Sequence, residues 1–306
     1  MARRKKAFSG QTSDVDLRLM RVFKTVIECG GLSAAQAELG VSRSTISIQL
    51  SDLETRLGVR LCHRGRSGFS LTQQGQQVLT YIDRLLTAVD DFGANVSSVN
   101  DRMVGKIEIG MIDYTVSDDN NPLMSAIKHY REKEPGVTIS LMTGTPNEIE
   151  RGVIDGTLHV GIVPDYHRLP GLRYNYLYHE PIGLFCGGEH PLALEIAAGT
   201  ELTAEEVYEH KLVFRGYYES DALRGIKERF PVGCTVYQTE AVLAFVQAGV
   251  YLGFFPVHCV DAMRGTIYEV LPEVFGYTSP ICAISRSDRR QSVILQDFLG
   301  LLCSKN

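Results

Sequence analysis

The sequence has no run of apolar residues long enough to span a bilayer. No apolar segment follows its basic start, Arg3-Arg4-Lys5-Lys6, as a secretory signal would require. These two absences predict a cytoplasmic protein with no membrane partner. The seven cysteines are odd in number and scattered, and they include no Cys-x-x-Cys pair, which fits a reducing compartment. Buried small thiols are the plain reading, with a redox pair such as Cys234 and Cys259 as the alternative. Enzyme signatures are missing too: there is no Gly-x-x-x-x-Gly-Lys-Ser/Thr, no Gly-x-Ser-x-Gly and no His-Glu-x-x-His. The eight histidines stand apart, so spacing shows no metal cluster. Glu189-His190 precedes Pro191 and reads as a turn. We expect no catalytic residue, no metal and no cofactor.

What is present is divided unevenly. A chain of 306 residues suggests two or three domains. Residues 1–66 hold 12 Lys/Arg against 6 Asp/Glu, whereas the whole chain is −5. A small basic module joined to a larger acidic one fits a nucleic-acid-binding head with a separate control domain.

Residues 33–57 carry the strongest pattern. Ser33 is placed to cap a helix containing Ala34, Ala35, Ala37 and Leu39, and Gly40 to stop it. Ser42 caps the next helix, in which Ile46, Leu50, Leu53 and Leu57 recur at steps of four, three and four along one face. Arg43, Ser44, Ser47 and Gln49 occupy the other face, none of them acidic and most of them short. Arginine pairs two-pronged with guanine, glutamine with adenine, and hydroxyls with bases or phosphates. Ser42 and Thr45 are assigned to phosphates at the helix start. An ordinary amphipathic helix is the competing reading. A preceding helix over 16–29, with Leu19, Phe23, Val26 and Ile27 inward, favours DNA. So does a hairpin over 59–71 whose tip carries Arg64 and Arg66, a wing placed to reach phosphates.

This order of parts resembles the LysR-type transcriptional regulators. The matching residues run from Asp16-Leu17-Arg18 to Phe23, then Gly31 to Ala37, Leu39-Gly40-Val41-Ser42, Ser44, Ser47 and Gln49. They continue through Leu53 to Leu61, Arg64 and Leu71-Thr72-Gln73-Gln74-Gly75. Glu189-His190-Pro191-Leu192-Ala193 and Ala248 to Pro256 extend the likeness over nearly the whole chain. Ile48 departs from the family, standing where a long polar or basic side chain is usual. Cys62 and His63 depart at the base of the wing.

Thr72 begins a further helix. Val78, Ile82, Leu85, Val89, Phe92 and Val96 form a heptad seam along it, which predicts pairing with another helix. Packing on its own domain is the alternative. Two heads reading a two-fold symmetric site favour pairing between subunits. The resemblance implies the same, and a tetramer built as a dimer of dimers. A hinge is expected at Ser97-Ser98-Val99-Asn100-Asp101, between Gly93 and Gly105.

From residue 105, strands alternate with helices, which predicts a mostly parallel sheet covered by helices. The pattern restarts near Ile182 and resembles the two-lobed periplasmic-binding-protein fold. The fold class is therefore a multi-domain chain: an α winged helix-turn-helix with a long linker helix, then an α/β two-lobed effector domain. Its boundaries are 1–71, a linker over 72–100, lobe one over 105–180 and 271–306, and lobe two over 181–270. In that resemblance the chain crosses between lobes near 180–184 and 268–272.

Open parallel sheets bind ligands beyond the carboxyl ends of their strands. That rule selects Asp113, Tyr114, Thr115 and Ser117, then Thr143 and Thr145, then His167. In lobe two it selects Arg215, Tyr217, Tyr218, Gln238 and Thr239. Thr145, Thr239 and Ser117 are placed to cap helices whose positive ends favour an anion; plain caps are the alternative. Arg215 suggests an organic acid as effector, unless it pairs with Glu219 or Asp221 instead. The reading is a promoter-DNA-binding regulator controlled by a small molecule, with RNA polymerase as a further partner. The alternative is a solute-receptor-type protein with a vestigial DNA head.

Overall fold

The computed structural model describes residues 10–65, 68–99, 103–263, 266–288 and 291–304. The chain divides into two compact units, and the break falls between Phe92 and Gly93.

The first unit begins with α1 (Asp14–Glu28). Ser13 accepts from the Asp16 amide while the Asp16 carboxylate takes the Ser13 amide, so two free N–H groups are satisfied at once. Leu19, Phe23 and Val26 form its buried stripe. Helix α2 (Ala35–Leu39) ends at Gly40, whose φ of 63° suits a residue without Cβ. Ser33 does not cap it. Ala34 is the N-cap, and Ser33 contributes only its carbonyl, to the Gln36 side chain at 3.2 Å. Helix α3 (Arg43–Leu57) is capped by Ser42, as the sequence indicates, and stops at Gly58. Its Ile46, Leu50 and Leu53 are fully buried against α1, each contributing about 1.5–3 kcal/mol.

Strands β1 (Cys62–Gly65) and β2 (Gly68–Leu71) pair antiparallel as the wing. Helix α4 (Gln73–Ser98) follows, with the Thr72 hydroxyl accepting from the Gly75 amide at 2.8 Å. A Cβ on Gly75 would lie 1.9 Å from the Leu61 carbonyl oxygen, so this position is closed to other residues. Helix α4 continues through Gly93 and ends at Ser98, inside the stretch expected to hinge; Asn100 and Asp101 lie outside the described residues.

The second unit opens with β3 (Gly105–Met111), α5 (Leu123–Lys133), β4 (Val137–Thr143), α6 (Pro146–Asp155) and β5 (Val160–Pro164). Next come β6 (Leu172–Gly187), α7 (Pro191–Ala197), α8 (Ala204–Tyr208), β7 (Leu212–Arg215), α9 (Asp221–Lys227), β8 (Val232–Val236), α10 (Thr239–Gln247) and β9 (Gly253–Pro256). The chain returns through β10 (Ile267–Glu269), α11 (Pro272–Phe275), β11 (Tyr277–Arg286) and α12 (Val293–Cys303). The main sheet has the order β10-β6-β11-β5-β3-β4, with β9 also on β6.

This sheet is mixed rather than mostly parallel. Strand β3 runs parallel to β4 and β5, but β6 and β11 pair antiparallel along their length. The reason is topological: β6 leaves the first half of the unit and β11 returns to it, so the two run in opposite senses. Separate cores lie on either side of this crossing. One gathers Ile107, Ile109, Tyr130, Ile162 and Phe298, the other Leu184, Leu212, Leu252 and Phe275. Helices α7 and α8 have no counterpart among the elements expected from sequence. His190 supplies the α7 cap through Nδ1, which accepts from the Leu192 amide at 3.2 Å.

Candidate DNA interface and effector cleft

The first turn of α3 is locked by local hydrogen bonds. The Ser42 hydroxyl accepts from the Thr45 amide at 3.2 Å and lies 2.8 Å from the Ser44 hydroxyl. Gln36 on α2 accepts from the Arg43 amide at 2.9 Å, which fixes the angle between the two helices. Ser42, Arg43, Ser44 and Ile48 are exposed, and Thr45, Ser47 and Gln49 half-buried. The Gln49 side-chain oxygen is buried without a hydrogen-bond partner among the described residues. Ile48 is 69% exposed, an apolar side chain on an otherwise polar face; it suits a thymine methyl rather than a phosphate. Arg43, Ser44 and Ser47 line a groove of about 700 Å³ closed on its far side by the wing.

Arg64 turns inward. Its guanidinium donates to the Ser47 carbonyl at 2.9 Å and pairs with Glu54. Glu54 also accepts from the amides of Leu61 and Cys62, at 2.8 and 3.2 Å. The wing is thereby bolted to α3 through Arg64 and Glu54. Arg66 lies outside the described residues.

The heptad seam splits. Ile82 is buried and Val78 and Leu85 pack against the first unit's own core, as the alternative reading had it. Val89 is half-buried. Phe92 and Val96 are 70% and 48% exposed. An apolar groove of about 300 Å³ lies among Met20, Leu57, Val59, Tyr81 and Leu85.

In the second unit the strand ends converge on a cavity of about 40 Å³, room for only a few waters. Of the twelve positions the strand-end rule selected, four line it: Asp113, Arg215, Tyr217 and Thr239. Arg215 donates to the Tyr217 hydroxyl at 2.9 Å and to the Thr239 hydroxyl at 3.1 Å. It does not pair with Glu219 or Asp221, because Lys227 takes Glu219 and Arg224 takes Asp221. Burial works against the Arg215 charge, and Tyr217, Glu219 and Asp113 outweigh it. Asp113 accepts from the Thr239 amide and hydroxyl, so it occupies the positive end of α10 from within the chain.

The other eight positions do not line it. Tyr114 donates to Glu240. Thr115 is buried and bonds the Ile112 carbonyl. Ser117 ends a short 3-10 turn and contacts His258 at 2.8 Å. Thr143 is exposed at the end of β4. Thr145 forms a capping box with Glu148, the plain alternative. His167 faces Glu150 at 3.7 Å, Tyr218 donates to Asp221 at 3.2 Å, and Gln238 is exposed.

Tyr166, Glu180, Glu219, Tyr277 and Ser279 also line the cavity, and of these Glu180, Tyr277 and Ser279 escaped the sequence reading. Burial pushes the hydroxyls of Tyr166, Tyr217 and Tyr277 up, so they remain neutral donors. Glu180 carried one legible signal, a carboxylate at the head of the apolar run Ile182 to Cys186.

A family profile described as the bacterial regulatory helix-turn-helix protein, lysR family, matches residues 17–76. A second, the LysR substrate binding domain, matches residues 100–305. The chain is a LysR-type transcriptional regulator. Among relatives of this regulator is the HTH-type transcriptional activator BauR of Pseudomonas aeruginosa, 36% identical over 98% of both chains. The fold is shared with full-length CbnR complexed with its target DNA. That likeness has a TM-score of 0.67 at 23% identity, over 95% of this chain and 99% of CbnR. It is also shared with a full-length OxyR variant from Pseudomonas aeruginosa, with a TM-score of 0.61 at 17% identity over 96% and 94%. BauR is a transcriptional activator, and nothing in these comparisons favours the solute-receptor alternative. No described helix of the LysR-type chain is long and apolar enough to cross a membrane.

Proposed function

We propose that this regulator reads promoter DNA through Ser42, Arg43, Ser44, Thr45, Ser47, Ile48 and Gln49. The observation that carries this is the exposed, acid-free start of α3 beside a wing held in fixed register. Arg43 is the base-reading cation, and Arg64 acts indirectly by fixing the wing. Two copies pair through the exposed part of the α4 seam, Phe92 and Val96, and through the apolar groove beside Tyr81. Pairs of dimers make the tetramer. The protein works in the cytoplasm, contacts RNA polymerase at its promoters, and catalyses no reaction.

The effector is a small organic acid held by Arg215. The three carboxylates of the cavity each have a partner in the chain: Asp113 with Thr239, Glu180 with His258, and Glu219 with Lys227. Arg215 spends its donors on neutral hydroxyls and is the cation among the cavity-lining residues that a carboxylate guest would meet. Drug-sized ligands occupy roughly 300–1,000 Å³, so the cleft opens to admit its ligand, and that opening is the change passed to the DNA heads.

Titration on promoter and random DNA at two salt concentrations tests the first part. We expect affinity to fall steeply with salt while the preference for the promoter persists. Equal affinity for both DNAs at both salts would refute base reading. A thermal-shift screen of small acids tests the second, since a ligand of the folded state raises the melting temperature. Arg215→Ala should abolish the shift.

A further inference from the structure

We propose that Asp118, Glu180 and His258 form a binding site for a divalent transition-metal cation. One ligand atom from each residue lies within 4.8 Å of the others. Three elements supply them: the turn after β3, strand β6, and the 3-10 turn Val257–Met263 after β9. Their separation in sequence explains why spacing alone shows nothing. Asp118 and Glu180 are 5% and 3% exposed. Buried carboxylates persist when paired or when they coordinate a metal, and here the Glu180 carboxylate faces the His258 imidazole at 3.1 Å.

Two further observations point to a guest. The Asp118 carboxylate accepts from Asn120 through Oδ1, while Oδ2 is buried with no hydrogen-bond partner among the described residues. The Tyr178 hydroxyl, 5% exposed, has none there either. Tyr178 stands two residues before Glu180 on β6, on the same face of the strand.

His258 is oriented as a metal ligand would be. The Ser117 hydroxyl lies 3.2 Å from the Tyr114 carbonyl and 2.8 Å from His258 Nδ1. His258 Nε2 faces Glu180 Oε1 at 3.1 Å. A hydroxyl fixing the far nitrogen is the arrangement that orients metal-binding histidines. One imidazole and two carboxylates suit Zn²⁺ or Mn²⁺, with water completing the coordination, rather than a soft cation that needs thiolates. Occupied, the site would tie the turn beyond β3 to the turn beyond β9. Glu180 also lines the effector cavity, so the cation would favour the narrow form of the cleft; that consequence rests on the effector reading above, whereas binding itself does not.

The test uses untagged full-length protein stripped with EDTA and dialysed. Zn²⁺ and Mn²⁺ are titrated by calorimetry, bound metal is counted by mass spectrometry, and melting is followed with and without Zn²⁺. We expect one ion per chain and a rise in melting temperature. Asp118→Asn and His258→Gln should abolish both, and Ser117→Ala should weaken binding about tenfold or more. Absence of saturable binding by the wild type overturns the proposal, whether or not the variants fold. So does stoichiometric binding that survives both ligand substitutions. Promoter affinity of the stripped protein is measured in parallel, so failure of this site is distinguishable from failure of the DNA reading.

Discussion

Replacing Glu54 with alanine would separate the wing from α3. Glu54 accepts from two amides and pairs with Arg64, and Leu61 and Cys62, whose amides it holds, are buried. An amide buried without a partner costs about 1–3 kcal/mol, and breaking a buried ion pair on one side costs about 3–5 kcal/mol. The pair is not wholly dry, with side-chain exposures of 19% for Arg64 and 15% for Glu54, and Arg64 keeps the Ser47 carbonyl. We therefore expect Glu54→Ala to destabilise the first unit by about 3 kcal/mol. Glu54→Gln keeps a neutral acceptor for the amides and should cost roughly half, since charge-assisted bonds are about twice as strong as neutral ones. Urea unfolding of the full chain measures this, with the transition assigned to the first unit by hydrogen exchange in α3. Equal costs for the two variants, or a cost for alanine below about 1 kcal/mol, would refute the account. A companion measurement bears on Arg64. If it is a strut, Arg64→Ala lowers stability but leaves the salt dependence of DNA binding unchanged, whereas a lost phosphate contact lowers the slope by about 0.9.

Three further outcomes follow from the geometry. Arg43→Ala should cost roughly 1–3 kcal/mol on the cognate promoter and relax selectivity at one base pair, measured by competition among single-substitution sites; an equal loss on random DNA contradicts base reading. Phe92→Asp places a charge on the exposed seam and should shift the sedimentation equilibrium toward monomer without lowering the unfolding midpoint of the isolated chain; an unchanged assembly state refutes the seam. Burial, and then the neighbouring His210, lower the His190 imidazole to about 4. Its folded value lies below its unfolded value, so its contribution is complete above about pH 6.5 and lost as pH falls toward 4. The loss is at most about 3 kcal/mol, and a His190→Asn variant should show a correspondingly flatter stability profile over that range.

Much of the DNA-binding unit was legible because its determinants are local. The Ile46-Leu50-Leu53 stripe, the Ser42 cap and the Gly40 and Gly58 stops act over one or two turns, and the structure places them accordingly. Ser33 misled because a hydroxyl before an alanine-rich run is only an opportunity to cap; the strongest cap of the unit, Ser13 with Asp16, lay upstream. The seam on α4 was visible as a period, but no period states which partner covers each position, and Ile82 and Phe92 ended in opposite environments. The effector cleft was the least legible. The strand-end rule holds for a parallel sheet, whereas β6 and β11 cross antiparallel and deliver Glu180 from mid-strand and Tyr277 and Ser279 from the start of β11. No local signal marks a residue that becomes functional through a crossing.

Asp113 on the end of α10 has one more consequence. The domain carries its own tethered mimic of an acidic guest, and a tethered group competes at an effective concentration in the millimolar range. An acid that claimed the same helix end would first have to evict this resident. Its apparent affinity would fall accordingly, so the response would be set for an abundant metabolite rather than a trace signal.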